Sequence, residues 1–244
     1  MASNVHIVEP QAGHPHTHTI IFLHGRGSQN DEFATSLFKS EVSEDLVGPC
    51  AHRTLPHLFP SFRWVFPAAP MLPSQRFGLD LFQWFDMWSV ENPDERADLQ
   101  EPGMEQSVES ILEVLRVEQQ LLPSDKIFLG GIGQGFATAL VAFIRNGQGL
   151  AGLVGLCSWL PCQGRLSIND ASAVHLQSTP IFLGHSGDDD VVPMQNGMKL
   201  YMFLTEKLCF PVKFHIYTGG GHWLNEPRGV DDIFYFLTLN MERT

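Results

Sequence analysis

The sequence predicts an α/β fold with a mostly parallel central sheet that helices cover on both faces. Short apolar runs bounded by Gly or Pro alternate with segments whose apolar residues recur at helical spacing. Such alternation requires crossover connections, which make the strands parallel and place the helices on the faces of the sheet. A length of 244 residues with 43% hydrophobic residues suits one large domain, which we expect to span residues 1–244.

Six segments are predicted as strands because they are apolar, partly β-branched or aromatic, and bounded by Gly or Pro. They are residues 19–23, 63–66, 126–129, 152–156, 180–184 and 212–217. Apolar stripes at helical spacing predict four intervening helices. They lie within residues 104–115, 136–144, 194–208 and 230–237.

Two regions depart from this alternation. Residues 1–17 are polar and rich in His and Pro, and we expect them to form a flexible N-terminus. Residues 70–102 form a long excursion next to a strand end, and they contain several aromatic residues and an acidic stretch. An excursion at this place is often a lid or a wall of a substrate site, although its aromatic residues could equally form a small core beneath a loop.

Composition disfavours several classes of function. The formal net charge is −12 and no run of Lys and Arg occurs, which argues against a nucleic-acid partner. No apolar run approaches the ~20 residues that cross a bilayer, and the N-terminus does not resemble a secretory signal. The cysteines lack metal-site spacing, which predicts reduced thiols in a cytoplasmic protein that needs no metal or other cofactor. They are Cys50, Cys157, Cys162 and Cys209.

The segment KIFLGGIGQGF at residues 126–136 predicts a strand, a tight glycine turn and a helix. A nucleophile elbow places G-x-S-x-G on such a turn, with the serine at its centre. Here the pattern runs from Gly131 to Gly135, and Gly133 occupies the serine position. A dinucleotide-binding turn is disfavoured, because residues 145–155 contain no acidic residue to bind a ribose.

Three other strand-end segments carry candidate chemistry. HGRG at residues 24–27 is the type of segment that supplies a backbone N–H to an oxyanion hole, here that of Arg26, and Gln134 would supply the second. GHSGDDDVVP at residues 184–193 contains Asp189 at a strand end, where open α/β sheets bind ligands. GGGHW at residues 219–223 places His222 in a loop after the last strand. The order nucleophile position, acid, histidine follows the α/β-hydrolase pattern.

Together these motifs resemble the acyl-protein thioesterase and carboxylesterase family of α/β-hydrolases, particularly its fungal members. The resemblance extends over residues 19–237. The family's Trp-Leu-Pro segment is matched at residues 159–161 and its WFD segment at residues 84–86. The resemblance therefore implies an α/β-hydrolase fold and a site for esters or thioesters.

The resemblance also implies a role for each matched residue. His222 would be the base and Asp189 the acid that orients it. The implied oxyanion and substrate-binding residues are Arg26, Gln134, Trp84, Trp159 and Leu160. The family's serine corresponds to Gly133, and glycine has no atom that could attack a carbonyl.

Three functions stay open on the sequence alone. The first is a carboxylesterase or thioesterase in which the serine has been replaced. The second is a non-hydrolytic isomerase, cyclase, lyase or dehydratase that uses His222 and Asp189 as general acid and base, or that draws a nucleophile from Ser28, Cys157 or Ser158. The third is a non-catalytic binding protein. Each implies a small hydrophobic or acyl ligand, and a homodimer stays open.

Overall fold

The computed structural model defines residues 4–48, 52–161, 166 and 170–241. The strands in these residues are β1 (Val5–Val8), β2 (His18–Leu23), β3 (Phe62–Pro67), β4 (Met71–Ser74), β5 (Leu79–Phe82), β6 (Ile127–Ile132), β7 (Gly152–Leu156), β8 (Ile181–Ser186) and β9 (Val212–Tyr217). Seven of them form one sheet in the order β1-β3-β2-β6-β7-β8-β9. Only β1 is antiparallel to its neighbour in this sheet, so the predicted parallel arrangement is confirmed.

The expectation of a flexible N-terminus is wrong for Val5–Val8. This segment is the edge strand β1, in which Val5 lies opposite Pro67 and Val8 opposite Trp64. Sequence alone did not indicate it, because a four-residue strand is too short for its alternation to stand out.

Helices cover both faces of the sheet, as predicted. They are α1 (Asn30–Leu37), α2 (Glu44–Val47), α3 (Leu55–Leu58), α4 (Gln100–Gln119), α5 (Gln134–Asn146), α6 (Asp170–Gln177), α7 (Met194–Met202) and α8 (Arg228–Met241). Because side chains alternate along a strand, β2 contributes to two cores. Ile21 and Leu23 pack with α4, α5 and α7, whereas Ile20 and Phe22 pack with α1 and α8.

The excursion at residues 70–102 consists of the β4–β5 hairpin and irregular chain that leads into α4. Trp84 and Phe85 are almost completely buried. Helix α4 approaches them so closely that a Cβ on Gly103 would lie 2.7 Å from Phe85 Cα. Ser107 Oγ donates a hydrogen bond to the Trp84 carbonyl at 2.5 Å. This part of the aromatic cluster is therefore core.

Among the defined residues, the helices include none with both the length and the apolar character that crossing a bilayer requires. Cys157 is a buried free thiol and Cys209 an exposed one. Cys50 and Cys162, for which the sequence also predicts reduced thiols, lie outside the defined residues.

Candidate active site

The turn between β6 and α5 has a positive φ at Gly133. Its backbone has φ +54° and ψ −119°, a conformation that residues with a side chain rarely adopt. The Gly133 N–H donates to the Leu156 carbonyl at 2.8 Å, and the Gly133 carbonyl accepts from Ser158 Oγ at 2.8 Å. The end of β7 therefore holds the turn from both sides. A strand-to-helix turn with this backbone conformation at its centre is the geometry of a nucleophile elbow.

Gly135 brings this turn against the end of β2. A Cβ on residue 135 would lie 2.4 Å from the Leu23 carbonyl oxygen and 2.5 Å from that of His24, so no side chain fits there. The amides of Arg26 and Gln134 consequently belong to adjoining segments. Gln134 is the first residue of α5, so its N–H has no intrahelical acceptor. In the part of the chain that is defined, no backbone acceptor takes the Arg26 N–H.

Asp189 and His222 form a hydrogen-bonded pair. His222 Nδ1 lies 2.9 Å from Asp189 Oδ2 and 3.1 Å from Oδ1. The buried carboxylate also accepts the N–H groups of Val191 at 2.9 Å and Val192 at 2.8 Å. A carboxylate held in this way keeps the imidazole proton on Nδ1, which leaves Nε2 available to accept a proton.

A second imidazole, which the sequence analysis missed, flanks the same carboxylate. His185 Nε2 lies 3.4 Å from Asp189 Oδ2 and 2.9 Å from the Val192 carbonyl. Burial by itself would raise the pKa of Asp189, but hydrogen bonds from His185, His222 and the Val192 amide outweigh it and hold that pKa well below its usual range. Asp189 therefore stays ionised at neutral pH. The one available signal was that His185 lies in the segment GHSGDDDVVP.

The turn and the acid–base pair meet at residue 133. A Cβ built on Gly133 would lie 3.1 Å from His222 Nε2 and 3.4 Å from its Cε1. The hydrogen bonds of the His222 ring within the defined residues involve only Nδ1. The structure therefore brings Gly133, Asp189 and His222 together, and leaves Nε2 facing the position of the absent side chain.

A cavity of about 560 Å³ lies beside His222. Three of the predicted site residues, Arg26, Gln134 and Trp159, line it together with His222. The sequence analysis did not assign individual residues to the rest of the lining. That lining includes Phe33, Arg76, Phe77, Val90, Glu91 and Trp223.

Trp84 and Leu160 do not line this cavity, which corrects the substrate contacts expected of them. The Trp84 side chain donates from Nε1 to the His24 carbonyl, and its backbone N–H donates to Gln134 Oε1, both at 2.8 Å. Trp84 thus braces the two segments that carry the candidate oxyanion amides. Leu160 lines a separate cavity of about 20 Å³. Both side chains are buried in the hydrophobic core instead.

The three alternative nucleophiles are hydrogen-bonded or protonated, although Ser28 also lines the cavity. Ser28 Oγ donates to the Gln29 carbonyl at 3.3 Å, and Ser158 Oγ donates to the Gly133 carbonyl. Burial first, and then the charge of Asp189, raise the pKa of the Cys157 thiol far above its usual range. A protonated, buried thiol is a poor nucleophile.

One group of side chains could in principle hold a metal ion. Cys157, Asp189 and His222 each place one potential ligand atom within 4.8 Å of the others. The Asp189 carboxylate is already occupied by hydrogen bonds. The group fits a hydrogen-bonded Asp–His pair with a thiol behind it better than a metal centre.

The fold and the arrangement of these residues define an α/β-hydrolase. Residues 3–241 match the sequence profile of the phospholipase/carboxylesterase family, and the chain belongs to that family. It is therefore an α/β-hydrolase of the acyl-protein thioesterase and carboxylesterase type.

Known proteins similar to this chain support the same assignment. Acyl-protein thioesterase 1 of Cryptococcus neoformans is 28% identical over 236 residues, which cover 91% of this chain and 92% of the relative. Acyl-protein thioesterase 1 of Debaryomyces hansenii is 30% identical over 223 residues, 89% of each chain. The crystal structure of Zea mays acyl-protein thioesterase 2 aligns with a TM-score of 0.73 and 26% identity, over 98% of this chain and 99% of that one. The resemblance to fungal thioesterases is confirmed.

Proposed function

We propose that this chain binds carboxylic esters or thioesters as a serine hydrolase does, and that Gly133 deprives it of the attacking oxygen. The observation that carries the proposal is the 3.1 Å between His222 Nε2 and the Cβ position of residue 133. A hydroxyl one bond further out would be within hydrogen-bonding reach of the imidazole. Glycine has no such atom, so an acyl-enzyme does not form at this position.

The remaining parts of the site supply what acyl transfer requires. The amides of Arg26 and Gln134 would bind the carbonyl oxygen and stabilise the charge that develops on it, where one lost donor costs about 3 kcal/mol of barrier. His222 would take the proton of the attacking group, while Asp189 holds the imidazole in place. The relatives are named acyl-protein thioesterases, which supports extending the proposal from esters to thioesters.

The variant Gly133→Ser tests this proposal. We expect it to hydrolyse p-nitrophenyl butyrate at least about 10³-fold faster than the parent chain, because it restores the missing hydroxyl. Gly133→Ala adds the same Cβ without an oxygen and is the matched control. Serine must adopt φ near +54°, which costs roughly 1–3 kcal/mol, so thermal unfolding is recorded in parallel. A folded serine variant no faster than the alanine control would refute the proposal.

A second candidate is proton transfer on a substrate that is not hydrolysed. The free Nε2 of His222 beside the empty position of residue 133 favours it, because a ligand C–H or O–H could occupy that space. The two amides would then stabilise an enolate, as an isomerase, cyclase, lyase or dehydratase requires. The test is deuterium exchange at the carbon next to the carbonyl of a butanoyl thioester in D₂O. Exchange by the parent chain that disappears in His222→Ala supports it, and its absence leaves binding without turnover.

We also propose that residues 70–102 form a wall of the substrate site, because Arg76, Phe77, Val90 and Glu91 line the cavity. Phe33 and Trp159 on other parts of the lining support a small hydrophobic or acyl ligand. A single domain, a cytoplasmic location and a homodimer stay predictions. Limited proteolysis, imaging of a fluorescent fusion and light scattering after size-exclusion chromatography test these three in turn.

A further inference from the structure

Two arginines and an exposed phenyl ring stand together at the cavity. The guanidinium carbon of Arg26 lies 5.1 Å from the centroid of the Phe77 ring, and that of Arg76 lies 5.6 Å from it. Phe77 is 54% exposed, and all three side chains line the cavity that contains His222. We call Arg26, Phe77 and Arg76 the arginine clamp. A ring that contacts both guanidinium groups holds both cations at the cavity.

Arg26 is the inner member of the clamp and is held by neutral groups. Its Nε donates to Gln83 Oε1 and its Nη2 to Ser74 Oγ, both at 2.9 Å. Within the defined residues, Arg26 forms an ion pair with Asp86. Its Nη2 lies 3.8 Å from Asp86 Oδ1, which is beyond hydrogen-bonding distance. The side chain is only 15% exposed. The hairpin therefore places a largely desolvated cation beside the cavity without a closely bound counter-ion.

Arg76 is the outer member and is only loosely paired. It donates to the Trp88 carbonyl at 2.7 Å and lies 3.6 Å from Glu91, whose carboxylate also accepts from Ser89 Oγ. Both partners of the ion pair are more than a third exposed, and such pairs contribute little free energy. Glu91 and Asp190 are the acidic residues of the lining. An incoming anion can thus compete with Glu91 for Arg76.

We propose that the arginine clamp binds a carboxylate of the substrate, so that the site prefers half-esters or half-thioesters of short dicarboxylic acids to neutral esters. The proposal rests on the proposed function, in which the amide of Arg26 binds the reacting carbonyl. Both anchor points then lie within one residue, which limits the acid to a short chain. Guanidinium groups bind planar carboxylates through paired N–H donors, and such charge-assisted bonds are stronger than neutral ones.

Calorimetry on the chain as it stands tests the clamp without any turnover. Monobutyl succinate is compared with the neutral butyl butanoate at low salt, and we expect the anion to bind at least about tenfold more tightly. Arg26→Gln is expected to abolish this preference and Arg76→Gln to reduce it about threefold. Arg145→Gln removes the same charge from a surface pair with Glu105, outside this cavity, and is expected to leave both affinities unchanged.

Equal affinity for the two ligands would overturn the clamp, as would a preference that survives in both cavity variants. Arg26→Gln also loses the hydrogen bonds to Gln83 and Ser74 and could fail to fold for that reason. In that case the ligand preference of Arg76→Gln decides the test. The two proposals fail separately. If Gly133→Ser hydrolyses no ester while the anion preference persists, only the proposed function fails. If it hydrolyses p-nitrophenyl butyrate but the parent binds both ligands equally, only the clamp fails.

Discussion

The site has an acid–base half, formed by Asp189 and His222, and a nucleophile half, formed by the turn at Gly133. The first has all of its side chains, whereas the second lacks its attacking group. At the ends of β8 and β9, Asp189 is surrounded by two imidazoles and two backbone N–H groups, and His222 is fixed on it. At the end of β6 the turn has the positive-φ backbone of an elbow but carries no side chain at Gly133. The comparison teaches that the elbow does not depend on a serine. The turn is closely packed at Gly135 and hydrogen-bonded to the end of β7 without one.

The largest expected effect comes from removing His222, in the acid–base half, from a variant in which Gly133→Ser has restored the nucleophile. In the Gly133→Ser background, His222→Ala is expected to lower kcat/KM for p-nitrophenyl butyrate by at least about 10³-fold, because no base remains to activate the serine. His215→Ala is the matched control. His215 is also paired with an aspartate, Asp232, at 2.7 Å, but it does not line the cavity. A similar loss in both variants would contradict a specific role for His222.

The second prediction separates two glycines of the elbow. Gly135→Ala is expected to lower the free energy of unfolding by about 3 kcal/mol or more, because the new Cβ would meet backbone oxygen atoms at 2.4 and 2.5 Å. Gly133→Ala is expected to cost about 1–2 kcal/mol, from its positive φ, because its Cβ would lie 3.1 Å from His222 Nε2, a contact that a small shift of the ring relieves. Urea unfolding of both variants measures the difference. Equal losses would show that close approach at residue 135 does not shape the turn.

The third prediction concerns acid stability. The pKa of Asp189 is lower in the folded protein than in the unfolded chain, so its contribution to stability is present above the unfolded value of about 3.9 and is lost as pH falls through the folded value. Asp189→Asn cannot lose a proton. Below about pH 5, the parent chain should therefore lose up to about 1.4 kcal/mol per pH unit more than this variant. Parallel pH profiles of the unfolding free energy would contradict a lowered pKa.

The sequence predicted what depends on local pattern. The apolar runs predicted the six strands other than β1 in the seven-stranded sheet, and the strand-end motifs predicted that Arg26, Gln134, Asp189 and His222 would converge. Side-chain contacts outside these motifs, between segments far apart in the chain, were not predictable. The bond from Trp84 Nε1 to the His24 carbonyl joins residues 60 positions apart, and it decides that this indole braces the site rather than lining it.

The same limit applies to the arginine clamp. HGRG indicated a backbone amide for Arg26, but the direction of its side chain depends on Ser74 in β4 and on Gln83 just after β5, both within the excursion. Excursions of that kind have no periodicity from which a side-chain position could be read. His185 was missed for a related reason. The segment GHSGDDDVVP shows the residue, whereas only the fold shows that its ring reaches Asp189.

The smallest expected effect tests how the loop that carries His222 is held. Asp188 Oδ1 accepts the Gly221 N–H at 3.1 Å, immediately before the histidine, and this bond links the two loops of the complete half. In the Gly133→Ser background, Asp188→Ala should lower kcat about three- to tenfold, the equivalent of about 1 kcal/mol for one exposed hydrogen bond. Asp188→Asn keeps an acceptor oxygen and should retain most of the rate. If the two variants are equally slow, the charge of Asp188 and not its hydrogen bond supports the loop, and the acid–base half is then held electrostatically rather than by this contact.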